Sequence, residues 1–154
     1  MWSPEVLDAA MVAALAEAAA ASAHGDVPVG AVLVATDGTL VARAHNERER
    51  AHDPTAHAEI EVLRAVARSR GSWRIDDLAL VVTLEPCPMC AGALVAARVP
   101  LLCFGADDPK AGAVRSLYRL CEDPRLNHRV SVVRGVRAAE ARARLQAFFA
   151  TRRG

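Results

Sequence analysis

The stretch Thr83-Leu84-Glu85-Pro86-Cys87-Pro88-Met89-Cys90-Ala91-Gly92 constrains this chain more than any other. An unbroken apolar run from Leu78 ends at Leu84, and a run of small, helix-compatible residues comes after it. Such a run suits a strand buried on both faces. Proline is preorganised for the first position of a helix, where its missing N–H would have no partner. Cys87 and Cys90, three apart, then face one way in a first helical turn, whose positive end favours thiolates. Two thiolates do not complete a metal site. The candidate to join them lies upstream, in His57-Ala58-Glu59.

One imidazole and two thiolates leave a tetrahedral zinc one open position, as catalytic rather than structural sites do. The thiolates balance the charge of Zn²⁺, and water in the open position becomes a nucleophile near neutral pH. Glu59 adds a carboxylate that can take a proton from water and return it to a substrate nitrogen. On a regular helix residues 57 and 59 face apart, so this arrangement needs an irregular first turn, which Asp53-Pro54-Thr55 can set. Single pieces say less: Cys-x-x-Cys also marks redox pairs, and a lone His is usually a polar core residue. A structural zinc with four protein ligands is the rival from another class, with Cys103 or Cys121 as the fourth. Cys103 falls in an apolar strand and reads as a small core residue, and Cys121 as a thiol at a helix end.

Along the chain, Ser3 and Pro4 open a helix over 4–24 with Leu7, Met11 and Leu15 as its stripe, and Gly25 stops it. Strands at 29–34 and 40–43 flank Thr36-Asp37-Gly38, so they pair as a hairpin. A polar loop over 46–54 leads to a helix over 55–70, then to the buried strand at 78–84 and the cysteine helix to about 98. A short strand at 101–104, a loop over 107–112, a helix at 116–121, a strand at 130–133 and a helix over 138–152 complete the pattern. Alternating strands and helices in the second half predict parallel pairing with helices on both faces.

At 154 residues and 53% hydrophobic content, a single domain over 1–154 is expected. No apolar run reads as long enough for a membrane span, and the first residues lack signal-peptide features, so a cytoplasmic location is expected. In a reducing compartment the four cysteines read as metal ligands or buried thiols. The net charge of +1 hides an asymmetry: residues 125–154 carry 8 Arg against one Glu, while residues 1–124 carry 11 basic against 17 acidic residues. A basic end can mark a polyanion contact or a solvated helix face.

His57-Ala58-Glu59 and Pro86-Cys87-Pro88-Met89-Cys90 match the zinc deaminase signature. The resemblance extends to Val27-Pro28-Val29-Gly30-Ala31-Val32, Asn46, Asp53-Pro54-Thr55-Ala56, Phe104-Gly105-Ala106, Leu126-Asn127-His128-Arg129-Val130 and Phe148-Phe149. Over nearly its whole length the chain resembles the bacterial tRNA-specific adenosine deaminases. That resemblance implies a three-layer α/β/α sandwich of the cytidine deaminase-like type, with a five-stranded mixed sheet and helices on both faces. It implies a homodimer with one zinc per chain, hydrolysing adenosine to inosine at the wobble position of the tRNA anticodon. His57, Cys87 and Cys90 would hold zinc, with Glu59 as the proton carrier. Asn46 would contact the flipped nucleotide, and the candidates for contact with the anticodon loop are Asp108, Lys110 and Arg115 in the 107–116 loop and Phe148, Phe149, Arg152 and Arg153 at the end of the chain. Ala111 stands where the family usually has Thr, Arg115 where it has Gly, and Arg137 where it has an apolar residue. The runner-up is a zinc-dependent deaminase of a free nucleobase or nucleoside of the guanine or cytosine type. An inactive tRNA-binding subunit is a third reading, and Glu59 argues against it.

Overall fold

The computed structural model describes residues 1–152. Among them, strands Gly30–Val34 (β1), Leu40–His45 (β2), Ala79–Leu84 (β3), Leu101–Ala106 (β4) and Ser131–Arg134 (β5) form one sheet in the order β2-β1-β3-β4-β5. The helices are Pro4–Ala23 (α1), Arg48–Ala51 (α2), Ala58–Arg70 (α3), Pro88–Ala97 (α4) and Ala138–Thr151 (α5). The hairpin partners β1 and β2 are antiparallel, as are β1 and β3. From β3 onward the pairing is parallel, β3 with β4 and β4 with β5. Helix α4 makes the first of those crossovers, because parallel neighbours cannot be joined by a tight turn. The mixed five-stranded sheet therefore has the expected composition.

Strand alternation divides the core. Leu33, Leu80, Val82, Leu102 and Phe104 pack on one face against Val62 and Val66 of α3 and Leu94 of α4. Val32, Val34, Val81 and Cys103 face the other side, against Leu7, Met11 and Leu15 of α1 and Ala141 of α5. The first five residues of β3 are buried, which matches its uninterrupted apolar sequence. Helix α1 is long and apolar enough by composition to cross a membrane, which corrects the expectation that no run approaches that length. Its apolarity is largely alanine, and its buried residues face the sheet. Arg137, in a left-handed conformation at the start of α5, pairs with Asp8 of α1 and with Glu140. Its charge thus ties two helices together.

Three boundaries differ from the sequence reading for identifiable reasons. No helix spans 116–121; a single 3-10 turn, Leu120–Glu122, stands there instead. The amide of Leu120, which a helix from Ser116 would bond to the Ser116 carbonyl, donates instead to the carbonyl of Ala113, and that of Leu117 to Gly112, so no helical ladder runs through these residues. The polar loop after β2 contains the short α2, because Asp26, fully buried, accepts the amides of Glu49 and Arg50. Helix α3 starts at Ala58 rather than at 55, with His57 as its extended N-cap residue.

Gly30 sets the distance between α1 and β1. A Cβ there would lie 2.0 Å from the carbonyl oxygen of Ala14 and 2.6 Å from the amide of Ala18, both backbone atoms that cannot step aside. Gly30→Ala is expected to cost at least about 2 kcal/mol in urea unfolding, the upper range of overpacking effects. A change under about 0.5 kcal/mol would show that α1 rides more loosely on the sheet than this packing requires.

Candidate active site

Two chain segments that end in extended N-cap residues bring the signature together. His57 precedes α3 with φ −73° and ψ 152°, and Cys87 precedes α4 with φ −73° and ψ 173°. An N-cap side chain leans over the first turn of its helix rather than following helical spacing. This resolves the geometric problem of His57 and Glu59: one is outside the helix, the other within its first turn, and both line one cavity. On α4 the same device sets Cys87 beside Cys90, with Pro88 at the first helical position.

Nδ1 of His57 lies 3.7 Å from Sγ of Cys87 and 3.5 Å from Sγ of Cys90. A zinc with ordinary Zn–S and Zn–N bonds at a tetrahedral angle separates N from S by roughly 3.5 Å. The donor set therefore fits zinc, through Nδ1 of the imidazole. Among the described residues no fourth ligand joins this cluster. Cys103 is buried on the α1 side of the sheet and Cys121 in the opposite core; burial pushes both thiols up to about 12. The four-ligand structural alternative has no support in this geometry.

The protonation of the cluster also suits a cation. Hydrogen bonding from Cys90 and then from His57, against the effect of burial, brings Cys87 down to about 4. The same contact to Cys87, with burial, raises Cys90, and the hydrogen bond to Cys87 raises His57. One thiolate thus gathers the protons of its neighbours, an arrangement that a divalent ion replaces by releasing them. Glu59 is 4% exposed, and burial pushes its carboxyl up to about 7. A carboxyl poised there can both take and give a proton near neutral pH.

The cavity over these residues measures about 150 Å³, and Asn46, Asp108 and Ala111 complete its wall. Asn46 is pinned in place: Oδ1 accepts the amide of Arg48, and Nδ2 donates to the carbonyl of Val27. Asp108 holds a turn by accepting the amides of Lys110 and Ala111. A larger groove of about 850 Å³ shares Val27, Leu84, Asp108 and Ala111 with the cavity and adds Lys110, Phe149 and Arg152. The structure thus places Asn46, Asp108, Lys110, Phe149 and Arg152 on the cavity or the adjoining groove, but not Arg115 or Phe148. Phe149 is exposed, while half-buried Phe148 lies under the Arg152 guanidinium, 4.3 Å from its ring centroid. Arg115 lines neither space; its guanidinium pairs with Glu122. Arg153 lies outside the described residues.

Glu85 is the functional residue the sequence reading gave no role. It is 2% exposed, and its carboxylate accepts five donors, the amides of Asp108, Val114, Arg115 and Ser116 and the hydroxyl of Ser116. Burial alone would raise its pKa, but the Ser116 hydroxyl and these amides outweigh it and leave the group at about 2. Gly112 passes so close that a Cβ there would lie 2.3 Å from the carboxyl carbon. An acid directly after a buried strand, with a glycine-bearing loop some distance downstream, was the available signal.

Two outcomes are expected of this site. Glu59→Ala should keep the fold and the zinc that survives desalting, yet slow turnover by about 10²–10⁴-fold, the usual contribution of a proton carrier. Zinc loss in that variant would make Glu59 a ligand instead. Glu85→Gln turns an amide NH₂ toward donors that need an acceptor, and should destabilise by about 2 kcal/mol or more. Amide exchange should quicken first over residues 107–116. Unchanged exchange there would contradict the role given to Glu85.

Residues 4–106 match the family model described as cytidine and deoxycytidylate deaminase zinc-binding region. The chain is 48% identical over 139 residues to the tRNA-specific adenosine deaminase of Bacillus subtilis, covering 90% of this chain and 86% of that protein. A structure solved in work on A-to-I editing by tRNA:A34 deaminases superposes with TM-score 0.85 at 43% identity, covering 89% of this chain and 99% of that one. A guanine deaminase from Nitrosomonas europaea shares the fold, with TM-score 0.79 at 23% identity over 97% of this chain and 86% of that one. The chain belongs to the zinc-dependent deaminases of the cytidine and deoxycytidylate type and, within them, to the tRNA-specific adenosine deaminases.

Proposed function

We propose that this protein hydrolyses adenosine to inosine at the wobble position of a tRNA anticodon. The observation that carries this reading is the placement of Glu59, buried at the zinc-type cluster, beneath a cavity that opens onto a groove bearing Lys110, Phe149 and Arg152. Held by His57, Cys87 and Cys90, zinc supplies Lewis acidity that makes water a nucleophile near neutral pH. Water adds to C6 of adenine, and the exocyclic amine leaves as ammonia. Glu59 takes the proton released by the attacking water, gives it first to the ring nitrogen and finally transfers a proton to the departing amine. Asn46, fixed by its two backbone hydrogen bonds, and the turn at Asp108 orient the base and limit the space around it.

The cavity of about 150 Å³ is on the scale of a single base, so an RNA substrate would enter it as an extruded nucleotide. An anticodon loop does so at low cost, because its bases are already unpaired. Phe149 gives a stacking face, while Lys110 and Arg152 give charge for the phosphates. A free nucleobase would need none of these groups. The homodimer belongs to the same proposal. Of the small residues Ala91, Gly92, Ala93, Ala96 and Ala97 on α4, Gly92, Ala93 and Ala96 are at least partly exposed and permit close approach of a second chain, while Ala91 and Ala97 are buried. A cytoplasmic location accords with this substrate.

An anticodon stem-loop with adenosine at the wobble position is expected to be converted to inosine, with affinity falling as salt rises. Truncation after Ala147 should weaken RNA use and leave zinc bound. Turnover of free guanine or cytosine with none on the stem-loop would favour the free-base reading. Light scattering at micromolar concentration checks the dimer, and a monomer there would contradict it.

A further inference from the structure

A second cluster of metal-type ligands lies away from the cysteines. His24 sits just past the end of α1, His45 ends β2, and Glu47 lies two residues later. One ligand atom from each lies within 4.8 Å of the others. The two imidazole rings are 5.1 Å apart between centroids, and both side chains are about four-fifths buried, at 20% and 19% exposure.

The protonation pattern of His45 is set from outside the cluster. Its Nδ1 lies 2.9 Å from Oε1 of Glu17, which fixes the proton on that nitrogen and leaves Nε2 as the free electron pair. A carboxylate behind a histidine in this way is the usual support of a metal ligand, since it orients the ring and raises its basicity. Nε2 is buried without a hydrogen-bond partner among the described residues. Its nearest acid, Oε1 of Glu47, is 3.6 Å away, beyond a hydrogen bond. It is close to the roughly 3.4 Å that separates nitrogen and oxygen bound to one tetrahedral zinc. His24 has the same character: Asp26, fully buried, places Oδ2 3.0 Å from Nδ1, yet outside hydrogen-bond geometry, so among the described residues both ring nitrogens are buried without a hydrogen-bond partner.

The local charge also favours a cation. Glu17, Asp26 and Glu47 surround the two imidazoles, while Arg43 and Arg50 pair with Glu17 and Glu47 from the exposed side. Among the described residues Asp26 pairs with no arginine. Leaving several imidazole nitrogens buried and unbonded is costly, and a shared ion removes that cost.

We propose that His24, His45 and Glu47 form a second divalent metal site, distinct from His57, Cys87 and Cys90. Two imidazoles and a carboxylate without thiolate select an ion such as Zn²⁺ with water in the remaining position. The ion joins the end of α1 to the segment through Asn46. Because Asn46 lies between two of the ligands in sequence and walls the catalytic cavity, occupation braces that wall. The site needs no assumption about the substrate.

The test is calorimetric titration of Zn²⁺ into full-length protein that already carries its cysteine-bound zinc. Wild type should take up a second equivalent per chain, and amide exchange over residues 46–51 should slow as it binds. His24→Ala and Glu47→Gln should each weaken that second equivalent at least tenfold while retaining the first, which also reports an intact fold. If a variant loses the first equivalent too, the wild-type titration and its exchange pattern decide. Absence of a second equivalent in wild type up to about a hundredfold molar excess overturns the proposal. So does a second equivalent that binds both variants unchanged, or one that leaves exchange over 46–51 unaltered in wild type.

Discussion

The buried carboxylate of Glu85 fixes the shape of the substrate side of this molecule. Residues 107–116 have little regular structure of their own, and a loop without internal ladders must find partners for its amides elsewhere. Four amides and one hydroxyl converge on Glu85, so the loop is anchored to the end of β3, the strand that also delivers Cys87. The wall of the cavity and the metal-type ligands are thereby referenced to the same rigid element. Hydrogen bonds to an ionised, water-excluded acceptor are among the stronger ones available, and geometry held this way needs no rearrangement during the reaction. Gly112 is the steric condition for it, since any Cβ at that position would occupy the space of the carboxylate.

On the other side of the cavity the same economy appears in the two N-caps. His57 and Cys87 sit in extended backbone just before a helix, which frees them from the 3.6-residue period of the helix itself. Cys90 and Glu59 come from within the helices, so each helix offers one residue before its start and one inside its first turn. The sheet brings the two helix starts together because α3 and α4 pack on one face of it. Three ligands and a proton carrier thus converge from two short segments without a specialised loop.

Much of this was legible in the residues. The alternation of apolar segments gave the strands and helices with boundaries displaced by a few residues, and the hairpin at Thr36-Asp37-Gly38 set the antiparallel edge. The ligand set and Glu59 were legible because the residue types carry the chemistry. Two features were not. Local propensity suggests a helix at 116–121, but the amides of Leu117 and Leu120 are taken up by the carbonyls of Gly112 and Ala113, outside any helical ladder. Arg115 reads as an RNA contact and Arg137 as a departure from the family pattern, whereas each guanidinium is engaged by acids of its own chain. Sequence shows that a charge exists and not where its partner lies. Lys110 and Phe149, by contrast, do reach a common groove, although they stand far apart in the chain.

Hydrolysis at a single extruded adenosine beside Glu59 is the central claim. Its most direct test is turnover of an anticodon stem-loop in water enriched in oxygen-18, with the product nucleosides separated and weighed by mass spectrometry. Each inosine formed should carry one solvent oxygen at C6 and arise only at the wobble position, with ammonia released in equal amount. Unlabelled inosine, or inosine spread over other unpaired adenosines, would contradict it.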